Sequence, residues 1–177
     1  MPRLPYKPHD AAGPEEIVAP IRARRGGTLL NLDRQLLYSP PLAQGWNHLM
    51  GAVRTRLDLP PRLAEIAICV VATINRAPYE FHHHAPLLLA AGASAAHVEA
   101  LHDVDAALAS PGLFDAAERA TIRLAVEMTR SVKVTDATFA EARAALGDDR
   151  RLVELVGTIA SYNMVSRVIV ALGIESE

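Results

Sequence analysis

Arg62-Leu-Ala-Glu65-Ile-Ala-Ile-Cys69-Val-Val-Ala-Thr-Ile-Asn75-Arg76-Ala-Pro78-Tyr79-Glu80-Phe-His-His-His84-Ala-Pro86 sets two carboxylates, three consecutive histidines and a tyrosine on two successive helical patterns. Leu59-Pro60-Pro61 starts the first, which runs to about Asn75 and is so nearly continuous in apolar residues that most of its faces must be buried. Glu65 stands alone among them. A buried carboxylate costs several kcal/mol unless it is paired, hydrogen-bonded or protonated, so Glu65 calls for a partner. The alternative is that Glu65 faces solvent near the helix start and complements the helix dipole.

Arg76-Ala-Pro78 breaks the chain, and the second helix runs from Tyr79 to about Ala91, with Gly92 as its stop. Pro86 lies inside it and should kink it by releasing the His82 carbonyl. Residues three and four apart share a helix face, so Glu80, His83 and His84 are expected together, with His82 turned away beside Tyr79 and Pro86. If Glu65 reaches across from the antiparallel neighbour, Glu65, His84 and Glu80 form a proton relay. The bland reading is a solvated histidine-rich surface. Glu80-x-x-His83 and Glu99-x-x-His102 also have the spacing of di-iron ligand pairs, but such bundles need further glutamates on two other long helices, so no metal is expected.

Outward from this stretch the chain reads as all-α. Of its 177 residues 50% are hydrophobic but only 5% aromatic, which suits packed helices better than a sandwich of sheets. Residues 1–13, with three prolines and a glycine, are read as an extended arm, and residues 14–177 as a single helical domain. Short helices follow from Pro14 to Gly26, Leu29 to Tyr38 and Leu42 to Leu57, the last with Trp46 in the core. Beyond the central pair, Ser94 caps a helix to about Leu108, and Ser110-Pro111-Gly112 is a break. Leu113 to Arg130 follows with its charges mostly outward; Thr135 to Gly147 and Asp149 to Leu172 complete a count of eight or nine. Arg62-Leu-Ala-Glu65-Ile, with Asn75 beyond it, is echoed by Arg151-Leu-Val-Glu154-Leu with Asn163, through either a pseudo-twofold core or coincidence.

With 18 basic and 20 acidic residues the net charge is −2, and no basic stripe with interleaved aromatics is present, so nucleic acid is not expected as a partner. The lone Cys69 reads as a small buried hydrophobe, since a dithiol cycle needs a second thiol. No signal peptide is apparent and no uninterrupted apolar run reaches the roughly 20 residues of a membrane span. The expectation is a cytoplasmic, cofactor-free protein that makes no membrane contact. The arm and the Ala/Leu-rich surfaces favour a homo-oligomer.

Arg62-Leu-Ala-Glu65-Ile-Ala-Ile, then Tyr79-Glu80-Phe-His-His-His84-Ala-Pro-Leu with Ala90-Ala-Gly92, resemble the carboxymuconolactone decarboxylase family, which includes the AhpD-like alkylhydroperoxidases. The likeness is strongest over residues 60–105 and extends more weakly through Tyr162-Asn163-Met164-Val165. It implies an all-helical AhpD-like bundle assembling as trimers or hexamers. The peroxidase branch carries Cys-x-x-Cys-x-x-x-His preceded by a glutamate. Here Ala77 and Glu80 fall at the cysteine positions, His84 at the histidine and Glu65 at the glutamate. The decarboxylase branch has Glu-x-x-x-His at that place, which Glu80 and His84 reproduce. The resemblance therefore implies acid–base decarboxylation or isomerisation of a small carboxylated or lactone substrate, with Glu65, Glu80 and His84 catalytic. Arg76, Tyr79 and His83 are the candidate substrate-binding residues. The alternatives are a peroxidase or other oxidoreductase, and a non-catalytic oligomer that binds a small ligand.

Overall fold

The computed structural model describes every residue except Pro111; that residue of the expected Ser110-Pro111-Gly112 break lies outside the described residues. The described chain is all-α, with ten helices that group into two compact units, Met1–Arg56 with Ile169–Glu177, and Leu57–Val168. In the first unit, α1 (Glu15–Arg24) and α2 (Asn31–Leu36) both pack on α3 (Pro40–Thr55), burying Val18, Ile21, Trp46 and Met50. Asp33, buried on α2, accepts both prongs of the Arg25 guanidinium at 2.9 and 3.1 Å and the backbone N–H of Leu30 at 3.0 Å, so its charge is matched. Residues of the arm are tied to the same unit. Arg3 donates to the carbonyls of Leu172 and Ala171, and Gln35 donates to that of Leu4 at 2.7 Å.

The second unit is built around α4 (Pro61–Ile74), which packs against α5 (Pro78–Ala90) and α8 (Ala116–Ser131). Pro61 begins α4 where a missing N–H costs nothing, and nine of its fourteen residues are buried. Full burial of a branched or long aliphatic side chain contributes about 1.5–3 kcal/mol. Ile66, Ile68, Val70 and Val71, all at 0% exposure, are therefore a main source of this unit's stability. The chain turns after α4 through Arg76, whose φ of 52° puts a non-glycine residue in the left-handed region. Two bonds close the turn there: Ala77 N–H to the Ala72 carbonyl at 2.9 Å and Arg76 N–H to that of Thr73 at 3.1 Å. α5 then returns alongside α4 and continues through Pro86 to Ala90. α9 (Asp136–Leu146) follows α8, and on α10 (Asp149–Leu172) the buried positions Leu152, Leu155, Ile159, Tyr162 and Ser166 alternate in steps of three and four, so one seam of the helix faces the fold.

Four sequence expectations change. The helix expected from Ser94 to Leu108 is two, α6 (Ala95–Ala100) and α7 (Val104–Ala109), because Asp103 caps a new start by accepting the Ala106 N–H at 3.0 Å. α8 starts at Ala116 instead of Leu113. Its cap is a reciprocal box in which Asp115 accepts the Glu118 N–H at 2.9 Å and Glu118 accepts the Asp115 N–H at 2.8 Å. Glu118, read as outward, is buried and pairs with Arg62 at 2.5 Å. Finally, α10 is long and apolar enough to cross a membrane by length and composition, at a mean hydropathy of 1.5, although polar residues interrupt its apolar run. Half of that apolar window is buried within the fold, and its Ser166 and Asn163 make buried hydrogen bonds to α5 and α8.

Candidate functional site

Glu65 sits one turn into α4 and His84 in the second turn of α5, and the antiparallel return of α5 brings them together. His84 Nδ1 lies 2.6 Å from Glu65 Oε2, with Glu65 4% exposed and the imidazole mostly covered. The Tyr162 ring of α10 (Asp149–Leu172) meets the imidazole edge-on with centroids 4.9 Å apart, fixing the plane in which it lies. A carboxylate beside Nδ1 accepts its N–H, which leaves Nε2 as the nitrogen that takes up or gives a proton. It also stabilises the imidazolium that forms when Nε2 is protonated.

Glu80, three residues into α5, is 2% exposed, and its Oε1 lies 2.8 Å from the Ser166 hydroxyl of α10. The same hydroxyl lies 2.9 Å from the Tyr162 carbonyl, while Glu80 Oε2 is buried with no hydrogen-bond partner. One hydroxyl proton cannot serve two acceptors at once. The count closes if Glu80 is protonated: its O–H donates to Ser166 Oγ, which donates to the Tyr162 carbonyl. Burial acts in the same direction, pushing the Glu80 carboxyl up to about 8, a rise that the Ser166 hydroxyl tempers by turning toward the ionised form. Near neutrality Glu80 is therefore a neutral acid, close to a carboxylate that is engaged by histidine.

Cys69 lies one turn beyond Glu65 on the same face of α4 and is completely buried. Burial raises its thiol far above the usual range, and the nearby Glu65 and Glu80 raise it further. A thiolate is disfavoured there, so Cys69 is a packing residue, as its apolar surroundings implied.

The six residues singled out from sequence thus divide. Glu65 and His84 bond directly and Glu80 belongs to the same interior, but the relay has a gap: Glu80 bonds Ser166 and makes no hydrogen bond to His84. Tyr79, buried, and His83 bring their rings into contact with centroids 4.4 Å apart and planes tilted by 52°. Adjacent residues point about 100° apart on a helix, so His83 cannot share the direction of His84. Arg76 stands elsewhere, on a groove with His82 and His102. Among the described residues no group of three His, Cys, Asp or Glu side chains is arranged to hold a metal; of the two Glu-x-x-His pairs, Glu80 bonds Ser166 while His102 stacks on Phe81 at 4.2 Å.

Sequence reasoning did not place Ser166 or Tyr162 at the site. The traces were the weak likeness through Tyr162-Asn163-Met164-Val165 and the echo, whose two asparagines meet: Asn75 Nδ2 donates to Asn163 Oδ1 at 3.1 Å, and Asn163 donates to Thr129 Oγ1 at 3.0 Å. That network ties the end of α4 to α8 and α10 beside Tyr162.

Comparison with known proteins agrees with this architecture. The model of the Carboxymuconolactone decarboxylase family matches residues 40–127. No curated protein is significantly similar to the chain in sequence. Among solved structures, an uncharacterised peroxidase-related protein with an alkylhydroperoxidase AhpD core from Ralstonia eutropha JMP134 superimposes with a TM-score of 0.84 at 17% identity, covering 100% of this chain and 93% of its own. A peroxidase-related protein from Silicibacter sp. TM1040 gives 0.80 at 18%, covering 100% and 94%. The debrominase Bmp8 in complex with 2,3,4-tribromopyrrole gives 0.76 at 18%, covering 92% and 86%. At such identities the likeness speaks for the fold. With its family match over residues 40–127 and its AhpD-like helical fold, the chain belongs to the carboxymuconolactone decarboxylase family.

Proposed function

We propose that this protein is an acid–base enzyme acting on a small carboxylated or carbonyl compound, by decarboxylation or isomerisation, with Glu65, His84 and Glu80 as its reactive groups. The observation that carries the reading is the 2.6 Å Glu65–His84 pair in the same dry interior as Glu80, a carboxyl whose surroundings favour the neutral acid. Two carboxyls with protonation states set apart by environment are what proton transfer in both directions requires. In decarboxylation the C–C bond to the carboxylate breaks, CO₂ leaves and the electron pair stays on the substrate as an enolate. The His84 imidazolium then delivers its Nε2 proton to that carbon, with its charge stabilised by Glu65 until transfer. In isomerisation neutral His84 first removes a proton from the carbon next to a carbonyl, and the O–H of un-ionised Glu80 turns from Ser166 to meet the developing oxyanion.

The partner is accordingly a small molecule, and the working form a homo-oligomer, a trimer or hexamer, which light scattering tests directly. The test of the reaction is incubation with carboxylated lactones, 3-oxo acids and enolisable ketones in D₂O, reading CO₂ release and deuterium incorporation. Positioned acid–base groups contribute about 10²–10⁴-fold, so His84→Asn and Glu80→Gln should each lower turnover by that order. Turnover unchanged in His84→Asn would remove the dyad from the chemistry. The likeness to a debrominase adds small halogenated rings to the compounds worth screening.

The AhpD-like oxidoreductase reading draws on the peroxidase-related neighbours and has Cys69 as its thiol. The flanking carboxylates and the burial of Cys69 oppose it. Peroxide consumption lost in Cys69→Ser would favour that reading, and ligand binding with no product would favour a binding protein.

A further inference from the structure

On the side of α5 away from Glu80 and His84 lies a groove of about 800 Å³, a size suited to a small organic ligand. Its floor and walls are apolar: Ala72, Phe81, Ala85, Pro86, Leu89 and Val98. Thr73 also lines it, but its hydroxyl is spent on the Leu101 carbonyl at 2.8 Å and it presents little more than a methyl group. The remaining polar lining consists of Arg76, His82 and His102, with no acid. The His102 ring is stacked on Phe81 with centroids 4.2 Å apart and planes 32° from parallel, which makes a flat wall of two rings.

Arg76 is the unusual member. It occupies a left-handed turn position that glycine fills at no steric cost, with φ of 52°, and among the described residues its guanidinium has no ion-pair or hydrogen-bond partner. A strained backbone carrying an unmatched cation at the rim of an acid-free apolar groove gains nothing for folding. We propose that this groove is a second binding site, separate from the Glu65–His84 dyad, for a planar apolar carboxylate: the ring lies against Phe81 and His102, and the carboxylate takes the fork of Arg76. Charge complementarity selects the anion, and the apolar lining selects the body that carries it.

The test is calorimetric titration of the full chain with benzoate, with benzyl alcohol as the uncharged isostere and acetate as the anion without a ring. Benzoate should bind and both controls should bind at least about tenfold more weakly, the scale of one charge-assisted hydrogen-bond pair in a partly dry site. Arg76→Gly removes the cation while suiting the left-handed turn, so this variant folds; it should weaken benzoate by about 10- to 100-fold. His84→Asn should leave the affinity unchanged, so that failure of the dyad chemistry and failure of this site are read separately. Benzoate bound equally well by Arg76→Gly, benzyl alcohol bound as tightly as benzoate, or no benzoate binding because a second copy of the chain covers Leu89 would each overturn the proposal. Coverage by a second copy would show as dissociation of an oligomer by Leu89→Arg.

Discussion

The two faces of α5 are made from one run of sequence and have opposite physics. Inward, Glu80 and His84 are held dry, and each has a specified partner, Ser166 and Glu65. Outward, His82, Pro86 and Leu89 are exposed, and Arg76 on the same groove has no charge partner among the described residues. Three consecutive histidines therefore do not make a histidine cluster, because each step turns the side chain by about 100°. His84 goes to the dyad, His83 to Tyr79 and His82 to the groove. Burial decides which of them has its chemistry fixed by the fold.

The sharpest way to break this contrast is to compare Glu65→Ala with His82→Ala by urea unfolding. Removing one member of a buried pair should cost about 3–5 kcal/mol, whereas an exposed residue away from special features changes stability by about 0.5 kcal/mol or less. Similar losses from both would mean that the inner face is no more constrained than the outer.

The next largest effect is on pH dependence. Because the folded state raises the Glu80 carboxyl from an ordinary value of 4.5 to about 8, the folded chain holds a proton that the unfolded chain releases between those values. This contribution to stability is fully present below about pH 4.5 and is lost as pH rises toward 8, with a slope of up to about 1.4 kcal/mol per pH unit. Unfolding of Glu80→Gln across the same range should lack this component. Ser166→Ala, smaller again, should cost about 1–2 kcal/mol at neutral pH and move the Glu80 titration to still higher pH, since the ionised form loses its hydrogen bond. Smallest, and opposite in sign, Arg76→Gly should stabilise the chain by about 1 kcal/mol through relief of its left-handed backbone. A loss there would mean that the arginine side chain supports the fold after all.

The sequence carries the helical class, most helix ends and the inner pair, because each leaves a local mark. Thr135 accepts the Thr138 N–H at 3.3 Å and Gly147 closes the same helix at φ of 65°, both as their residue types require. Glu65 is conspicuous as the lone acid of an apolar helix. What stays hidden is fixed by distant contacts. Ser166 meets Glu80 from 86 residues away, and a serine in a helix has no pattern that announces a buried partner. Glu118 looks like an ordinary surface acid until Arg62 is seen to cover it. The start at Asp103 was legible in principle, since an aspartate three residues before a backbone N–H is a capping signal, but the apolar spacing continued across it. The echo shows the limits of a pattern. Glu65 is buried on His84, while Glu154, at the matching position, accepts the Asp58 N–H at 2.7 Å and pairs with the exposed Arg150 at 2.9 Å.

The central claim is that the inner face of α5 holds a neutral carboxylic acid beside a histidine–carboxylate pair. Carbon-13 NMR of glutamate-labelled protein between pH 5 and 10, with Glu80→Gln to assign the signal, tests it most directly. A carboxyl resonance titrating near 8 and missing from the variant is the predicted result. Titration of that resonance in the ordinary carboxylate range, near 4.5, would contradict it.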